Sequence, residues 1–589
     1  MYFDAGYLLR KQKSLKRKLV QQPGLLEKRI AILGGSTTEE IANLLELILL
    51  HDGIRPIIYQ SGYRKYFEDA VVDPSAIIDF RPDIIYLHTS SICIRNFPPI
   101  DSLEADFFEC IEKEMKHYRA IWDALSNQTD ALIIQNNFEL PEYQLLGNLD
   151  AVSPAGRVRF INTLNLEFAR EVLVRSRLMM NDISTISARM GVDGFHDARR
   201  YFSYKIITTP EGSLEMARSI GAIVKAIYGS MYKCLVLDLD NTLWGGVIGD
   251  DGVGKIRIGR ETAEAEAYTA FQEYCLALRQ RGILLAVCSK NNELTALEGL
   301  NHPDSLLKPS HFSCIKANWE PKDQNIRAIA HQLNLGLDGL VFVDDNPVER
   351  SWVSAQLPMV AVPDVGSDVT EYSRILNRAR YFEPISLLKE DLHRAESYSA
   401  NEKRLLAQNS LGNYKEYLLS LEMRAQIKPF YPLYLERITQ LINKTNQYNL
   451  TTKRYTMAEI EHISNDPNYV TLWGKLLDKF GDNGLTSVVI GRRKSCVLHI
   501  ETWLMSCRVL KRDFEHAMLD ALVASCLRTG IERIYGYYIP TEKNNLVAEH
   551  YAKLGFELIS GSEQPSLWQL NLAGGYKPRN HTIKEISYD

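Results

Sequence analysis

Residues 233–242 read Lys-Cys-Leu-Val-Leu-Asp-Leu-Asp-Asn-Thr, an apolar run of strand length that ends in two carboxylates, Asp238 and Asp240. Strand propensity does not account for the pair, because aspartate is depleted in strands and costly to bury without a partner. A metal ion or a phosphate-directed role offsets that cost. The run is bounded by turn residues and apolar throughout, as expected of a parallel strand covered on both faces. Ligand sites of open α/β sheets lie at the carboxyl ends of such strands.

Working outward, the same pattern repeats. ILLAVCSK, FSCIKANW and DGLVFVDDN read as further parallel strands, and a helix opens at Lys322. Val287-Cys-Ser289-Lys-Asn291 offers hydroxyl and amide groups to phosphate oxygens, with Thr242 after the first strand. Lys322, after Pro321, puts an ammonium where a transferring phosphoryl develops charge. Asp344 and Asp345 end VFVDD and complete an oxygen-ligand set of Asp238, Asp240, Asp344 and Asp345, suited to Mg²⁺. Only a loop (Trp244 to Ile258) and one helix separate the first two motifs, and one short helix the next two, so no folded cap covers the site. Lids exclude water and select small substrates; an open site suits a phosphoryl group presented on a macromolecule or a carrier arm.

The flanks differ in pattern. From Arg29, IAILGG, RPIIYQ, PDIIYLHTS and TDALIIQNN alternate with helical stretches, which implies another parallel sheet. From about residue 424 an amphipathic helix (Leu435 to Asn446) precedes TSVVIGRR, CVLHIETWLMS, RIYGYYI and LWQLNL, an α+β layout with a largely antiparallel sheet. The resulting fold class is multidomain α/β: an α/β domain over 1–215, a phosphoryl-transfer α/β domain over 216–384, a helical linker over 385–423 and an α+β domain over 424–589.

Composition narrows the classes. The 589 residues carry 68 Lys+Arg and 73 Asp+Glu, a net charge of −5 that gives no footprint for nucleic acid. The basic run from Arg10 to Lys18 reads as a solvated helix face. No apolar stretch is long enough to span a bilayer and no signal peptide is evident, so a cytoplasmic protein is expected. Nine cysteines without a CxxC pair argue against disulfides and zinc and leave thiols as nucleophiles.

LDLDNT, VCSK, EPKDQN and FVDDN, in that order, resemble the four motifs of the haloacid dehalogenase (HAD) superfamily, in a capless Rossmann-like form. The resemblance implies that Asp238 is the nucleophile and Asp240 the general acid/base. Ser289 and Lys322 would then hold the phosphoryl, with Asp238, Asp344 and the Asp240 carbonyl on Mg²⁺ and Asp345 in support. WGGVIGDDG, AVCSKNN, ANWEPKDQNI, VDDNPVER and ERITQLINKTNQYNLTTKRYT further resemble the FkbH-like branch. That branch implies an enzyme taking a glyceryl unit from 1,3-bisphosphoglycerate, a small phosphorylated acyl substrate. The unit becomes an enzyme thioester, is dephosphorylated, and passes to the phosphopantetheine thiol of an acyl carrier protein. The alternative is a phosphatase of another intermediate, for example in surface-polysaccharide assembly, fused to an N-acyltransferase.

The C-terminal domain resembles acetyltransferases of the GNAT type, which place a coenzyme A or phosphopantetheine arm between two splayed strands. Arg508, Arg512, Asn544 and Tyr551 are the expected slot residues. Lys511-Arg512-Asp513-Phe514 replaces the glycine-rich turn of that fold, which disfavours ordinary acetyl-CoA binding while leaving a carrier-arm slot open. For the thioester that the resemblance implies, the candidates are Cys507, beside Arg508 and Lys511 and the first choice, and Cys288, which by strand alternation faces the helix-covered side. The N-terminal domain resembles a flavodoxin-type SGNH hydrolase, through Ser36 after a Gly-Gly turn, Asn136, and Asp193 with His196. GGST stands in place of GDS, however. A noncatalytic docking or structural domain, with Ser36 or Thr37 and Glu39 or Glu40 in a capping box, is therefore the preferred expectation over a working Ser36–His196–Asp193 triad.

Overall fold

The computed structural model describes residues 4–229, 231–387, 392, 404, 413–506, 509–510, 512–541, 543–560 and 565–587. The expected linker 385–423 therefore lies largely outside the described residues, as do Cys507, Arg508 and Lys511. The chain forms two compact units, Met1–Lys225 with Thr456–Glu459, and Ala226–Tyr455 with Ile460–Asp589. No helix among the described residues is long and apolar enough to cross a membrane.

The first unit is built on five parallel strands, β1 (Leu26–Gly34), β2 (Ile54–Gln60), β3 (Ile84–His88), β4 (Leu132–Asn136) and β5 (Leu178–Asn181), in the order β2-β1-β3-β4-β5. That is the flavodoxin-type order, with its switch point between β1 and β3. The helix Ala5–Leu19 turns its lysines and arginines to solvent. No capping box forms at the helix Glu39–His51: its N-cap is Thr38, without a side-chain bond to the helix.

The second unit holds two sheets. The first is parallel, with β6 (Cys234–Leu237), β7 (Leu284–Ser289), β8 (Cys314–Ala317) and β9 (Leu340–Val343) in the order β8-β7-β6-β9. Side chains alternate between its faces. Leu235, Leu237, Leu285 and Val287 pack with Phe271 and Cys275 of the helix Ala263–Gln280. Val236, Ala286 and Cys288 pack with Ile326 and Ile329 of the helix Lys322–Gln332. Between β6 and β7 lie short turns and the helix Ala263–Gln280, and between β7 and β8 the short helix Glu293–Leu300, so no folded cap interrupts the sheet.

The second sheet is mixed: β10 (Arg424–Lys428), β11 (Tyr469–Asp478), β12 (Gly481–Lys494), β13 (Val497–Met505), β14 (Arg533–Tyr538), β15 (Glu557–Ser560), β16 (Ser566–Asn571) and β17 (Glu585–Ser587). Its order is β15-β16-β14-β13-β12-β11-β10-β17. The neighbours β13 and β14 run parallel and pair only from Val497 with Arg533 to Ile500 with Gly536. Beyond that they part, as the GNAT resemblance implied.

The gap they leave is filled by the chain itself. Leu450 donates its N–H to the Trp503 carbonyl (3.1 Å), and Met505 donates to Tyr448 (3.0 Å). On the other side Ile539 donates to the Leu450 carbonyl (2.9 Å). Tyr448–Leu450 thus stands as a short extra rung between the diverging strands.

Candidate active site

The site is assembled at the carboxyl ends of β6, β7 and β9. Asp238 follows β6, where its N–H donates to the Val343 carbonyl of β9 (3.0 Å). Asp344 follows β9, and Lys322 opens the helix after β8. The Lys322 ammonium lies 3.1 Å from Asp238 Oδ2 and donates to Asp344 Oδ2. Burial works against that ammonium, but the two carboxylates outweigh it and hold its pKa above the ordinary lysine value. Burial and the neighbouring Asp238 push the Asp344 carboxyl up to about 6, against the pull of Lys322.

Asp238, Asp344 and Asp345 bring one carboxylate oxygen each within 4.8 Å of one another. Asp238 Oδ1 is buried and accepts no hydrogen bond within the protein. Three oxygens and an orphaned buried acceptor fit a hard divalent cation, which takes oxygen ligands and offsets like-charge repulsion. The Asp240 carboxylate does not join this set. It accepts from Trp244 Nε1 (2.9 Å), the Ile248 N–H (3.1 Å) and Asn291 Nδ2 (2.8 Å). Burial still raises its pKa, against those three donors. A half-buried carboxyl held apart from the metal ligands and biased toward its protonated form is placed to give and take a proton.

Among the other expected phosphate ligands, Ser289 ends β7 and is buried. Asn291 is spent on Asp240, and Thr242 is fully buried with Oγ1 unbonded. Two contributors escaped the motif reading. Trp244 supplies a donor to Asp240, and the guanidinium of Arg350 donates to the backbone carbonyls of Asp344 (2.8 Å) and Asp345 (2.7 Å), which fixes the acidic turn. Both sit inside the quoted motifs. Their targets lie only four to six residues away, but nothing in the spacing names an indole or a guanidinium as the donor.

The cysteine and slot expectations fare differently. Cys288 is fully buried among Val236, Ala286 and Ile326, with Sγ 3.7 Å from the Lys322 carbonyl, and burial pushes its thiol far above the ordinary range. It is no accessible nucleophile, which corrects its place among the thioester candidates. Cys507 and Arg508 lie outside the described residues.

Arg512 is buried against Asp478 (3.0 Å) and Asn483 (3.2 Å) rather than lining a slot. Asn544, fully buried, donates to the Asn449 and Ile539 carbonyls (2.9 Å each) and so clamps the extra rung. Tyr551 fills the core over Gly536, where a Cβ would lie 2.3 Å from its ring. The strand splay is therefore closed by residues 448–450, and the slot expected there is corrected: its backbone edge is already bonded.

In the first unit Ser36, with Oγ buried and unbonded, follows β1. Asn136 donates to the Thr89 carbonyl (3.0 Å) and accepts from Asn181 (2.8 Å), so it staples strand ends. Asp193 is exposed. The carboxylates beside His196 are instead Glu139, 3.7 Å from Nε2, and Glu142, 3.6 Å from Nδ1. The acid expected from DxxH spacing is thus replaced by two from another loop.

No protein-family model matches the chain, nor does any curated protein. Among solved structures, the N-terminal part of the protein BF1531 from Bacteroides fragilis, containing a phosphatase domain complexed with Mg, is similar at 30% identity and TM-score 0.59, over 64% of this chain and 99% of that one. The ribosomal-protein-S18-alanine N-acetyltransferase from Escherichia coli matches at 9% identity and TM-score 0.21, over 27% of this chain and 99% of that one. The GNAT domain of S. lividans PAT matches at 14% and 0.22, over 25% and 89%. At such scores the C-terminal topology stands on its own strand order.

Proposed function

Since the chain belongs to the family of the Bacteroides fragilis phosphatase-domain protein, we propose that it is a Mg²⁺-dependent phosphohydrolase joined to an acyl-transfer half. In this reading it takes a phosphorylated C3 acyl unit, the glyceryl group of 1,3-bisphosphoglycerate, to the phosphopantetheine thiol of an acyl carrier protein. The observation that carries the phosphohydrolase part is Asp238 held between Lys322 and the Asp344–Asp345 pair, at an uncapped sheet end.

Asp238, Asp344 and Asp345 would hold the ion, which supplies charge neutralisation at the phosphoryl oxygens. Asp238 attacks phosphorus, the phosphorus–oxygen ester bond breaks, and Asp240 gives its proton to the leaving alkoxide. Water then attacks the aspartyl-phosphate. Asp240 takes the proton of that water, the bond to Asp238 breaks and inorganic phosphate leaves. Lys322 balances charge throughout.

For the acyl steps, a cysteine thiolate attacks the acyl-phosphate carbonyl and phosphate departs. The carrier thiolate then attacks the thioester, and the cysteine sulfur departs. Cys507 is the proposed cysteine, supported by its neighbours Arg508 and Lys511 in the sequence. Residues 448–450 occupy the backbone bonds of the splay, so neither acetyl-CoA nor a carrier arm lies along those strand edges, and in this reading the arm enters elsewhere.

The test is intact mass spectrometry of phosphopantetheinylated carrier incubated with the acyl phosphate, Mg²⁺ and protein. The expected product is carrier plus a glyceryl group. Asp238→Asn should leave the added group phosphorylated. An unchanged carrier mass across cognate carriers refutes the acyl-transfer reading and leaves the phosphohydrolase.

A further inference from the structure

Within the second unit the C-terminal half meets the parallel sheet at its amino end. Gly229 runs so close to the helix Leu435–Lys444 that a Cβ there would lie 1.7 Å from the Asn443 carbonyl oxygen. Lys233 Nζ donates to the Lys444 carbonyl (3.2 Å), and Lys543 pairs with Asp338, which precedes β9. A cavity of about 300 Å³ lies between the two sides. Lys233, Leu284 and Leu337 line it from the parallel sheet, and Tyr448, Met505 and Ser506 from the C-terminal half.

Ser506 is the residue before Cys507, the cysteine of the reading above. The nucleophile Asp238 stands at the other end of the same parallel sheet. Lys233 donates its N–H to the Gly339 carbonyl (2.7 Å) and Asp238 to that of Val343 (3.0 Å), at the two ends of one ladder. The strand between them spans about 16 Å. The direct way is closed as well, because Leu235, Val236 and Leu237 are fully buried, with Leu285 and Ala286 beside them.

An acyl unit tied to the enzyme does not cover that distance. Consecutive Cα atoms lie about 3.8 Å apart, and the zigzag of bonds from a cysteine Cα through sulfur and a three-carbon acyl group to phosphorus adds about 9 Å. The phosphorus of such a thioester therefore stays within about 13 Å of the Ser506 Cα, short of the strand length and the cavity before it. A phosphopantetheine arm belongs to a separate protein, which leaves one end of the sheet and docks at the other.

The chemistry of the donor points the same way. An acyl phosphate that also bears a phosphate ester offers two phosphorus atoms to an aspartate nucleophile with no lid to choose between them. Attack on the anhydride would discard the activation that the thioester needs. Once the thioester has formed, only the ester phosphate is left.

We propose that phosphate removal is the last step, and that the substrate of the Asp238 site is a phosphorylated acyl thioester on the carrier's phosphopantetheine arm. This order rests on the transfer function proposed above, with Cys507 as its nucleophile. The carrier thiolate attacks the phosphoglyceryl thioester, the carbon–sulfur bond to the cysteine breaks, and the cysteine thiolate departs with the phosphate ester untouched. At the uncapped end Asp238 then attacks phosphorus, the ester phosphorus–oxygen bond breaks and Asp240 protonates the alkoxide. Water releases phosphate from Asp238 and leaves a glyceryl thioester on the carrier. The family resemblance implies the reverse order, with the phosphate lost while the unit is still on the enzyme.

The experiment uses the full chain, Mg²⁺ and a carrier whose arm ends in an amine acylated with 3-phosphoglycerate. The amide cannot return to a cysteine, so any phosphate it loses is lost on the carrier. The unsubstituted protein should release that phosphate and Asp238→Asn should not. At equal concentration the amide carrier should react at least about tenfold faster than free 3-phosphoglycerate, a difference of about 1.4 kcal/mol. In a second arm the protein is quenched in acid after exposure to the acyl phosphate without carrier, and the acylated peptide is weighed. It should retain its phosphate.

An acylated peptide without phosphate overturns the order, as does an amide carrier that keeps its phosphate or reacts no faster than the free acid. The transfer reading fails separately. Absence of both the acylated peptide and the loading of a thiol carrier refutes it, and the amide carrier then decides the substrate of the Asp238 site alone.

Discussion

Replacing Trp244 by phenylalanine removes one of the three donors that hold the Asp240 carboxylate and leaves the Ile248 N–H and Asn291 in place. A hydrogen bond to a charged group contributes about 1.5–3 kcal/mol, and one pKa unit corresponds to about 1.4 kcal/mol, so the loss is worth about one to two units. Asp240 is only half-buried, and water recovers part of the loss, which leaves about one unit. The sign is fixed: a donor stabilises the ionised form, so its removal raises a pKa that burial has already raised. As general acid, Asp240 must be protonated in the free enzyme. The basic limb of kcat/KM for a phosphate monoester should therefore move about one unit to higher pH. The smaller ring also leaves a cavity costing about 1–3 kcal/mol, which lowers Tm but does not displace a pH limb. Measuring both separates the effects. A limb that stays in place, or moves to lower pH, refutes the assignment of Asp240 as the acid.

Three further outcomes are expected. Chelation should abolish phosphate release, and Mg²⁺ at about 100 times its Kd should stabilise the protein by about 2.7 kcal/mol; this is read as a rise in Tm that Asp344→Asn removes. Gly229→Ala should lower stability by about 3 kcal/mol, because its φ of +75° is left-handed and its Cβ meets the Asn443 carbonyl. Gly530→Ala, with φ +72° and open space, should cost only about 1 kcal/mol, and equal urea midpoints would contradict the contact. His550 is buried, shares a hydrogen bond of 2.7 Å with Tyr448, and has its pKa pushed down to about 3 by burial. The unfolded chain then binds the proton first, so this stability is complete above about pH 6.5 and is lost as pH falls toward 3. Between pH 6.5 and 4.5 the loss should be about 2–3 kcal/mol, and His550→Gln should show less of it in urea titrations.

The parallel strands β6 to β9 were legible because buried strands read as unbroken apolar runs, and their acidic ends because aspartate there needs a reason. The burial of Cys288 followed from period-two alternation beside Ser289. β5 escaped, being four residues long, as did β10, five residues of alternating polarity, and β11, whose pairing with β12 shifts register at Gly474–Leu477. The amphipathic helix expected to Asn446 stops at Lys444, and only the distant edges of Trp503, Met505 and Ile539 make residues 448–450 a rung. His196 shows the same limit. A spacing along the chain named Asp193, while the fold brought Glu139 and Glu142 from another segment.

The rung at Tyr448–Leu450 also changes how the C-terminal half is stabilised. In a sheet whose split is completed by a cofactor, the last backbone bonds form only when a free molecule gives up its translational freedom, and stability follows the concentration of that molecule. Here the completing segment is covalently part of the chain, and loop closure takes the place of that bimolecular loss. This half should hold its sheet together in the absence of any small molecule, and coenzyme A should leave its melting temperature where it was.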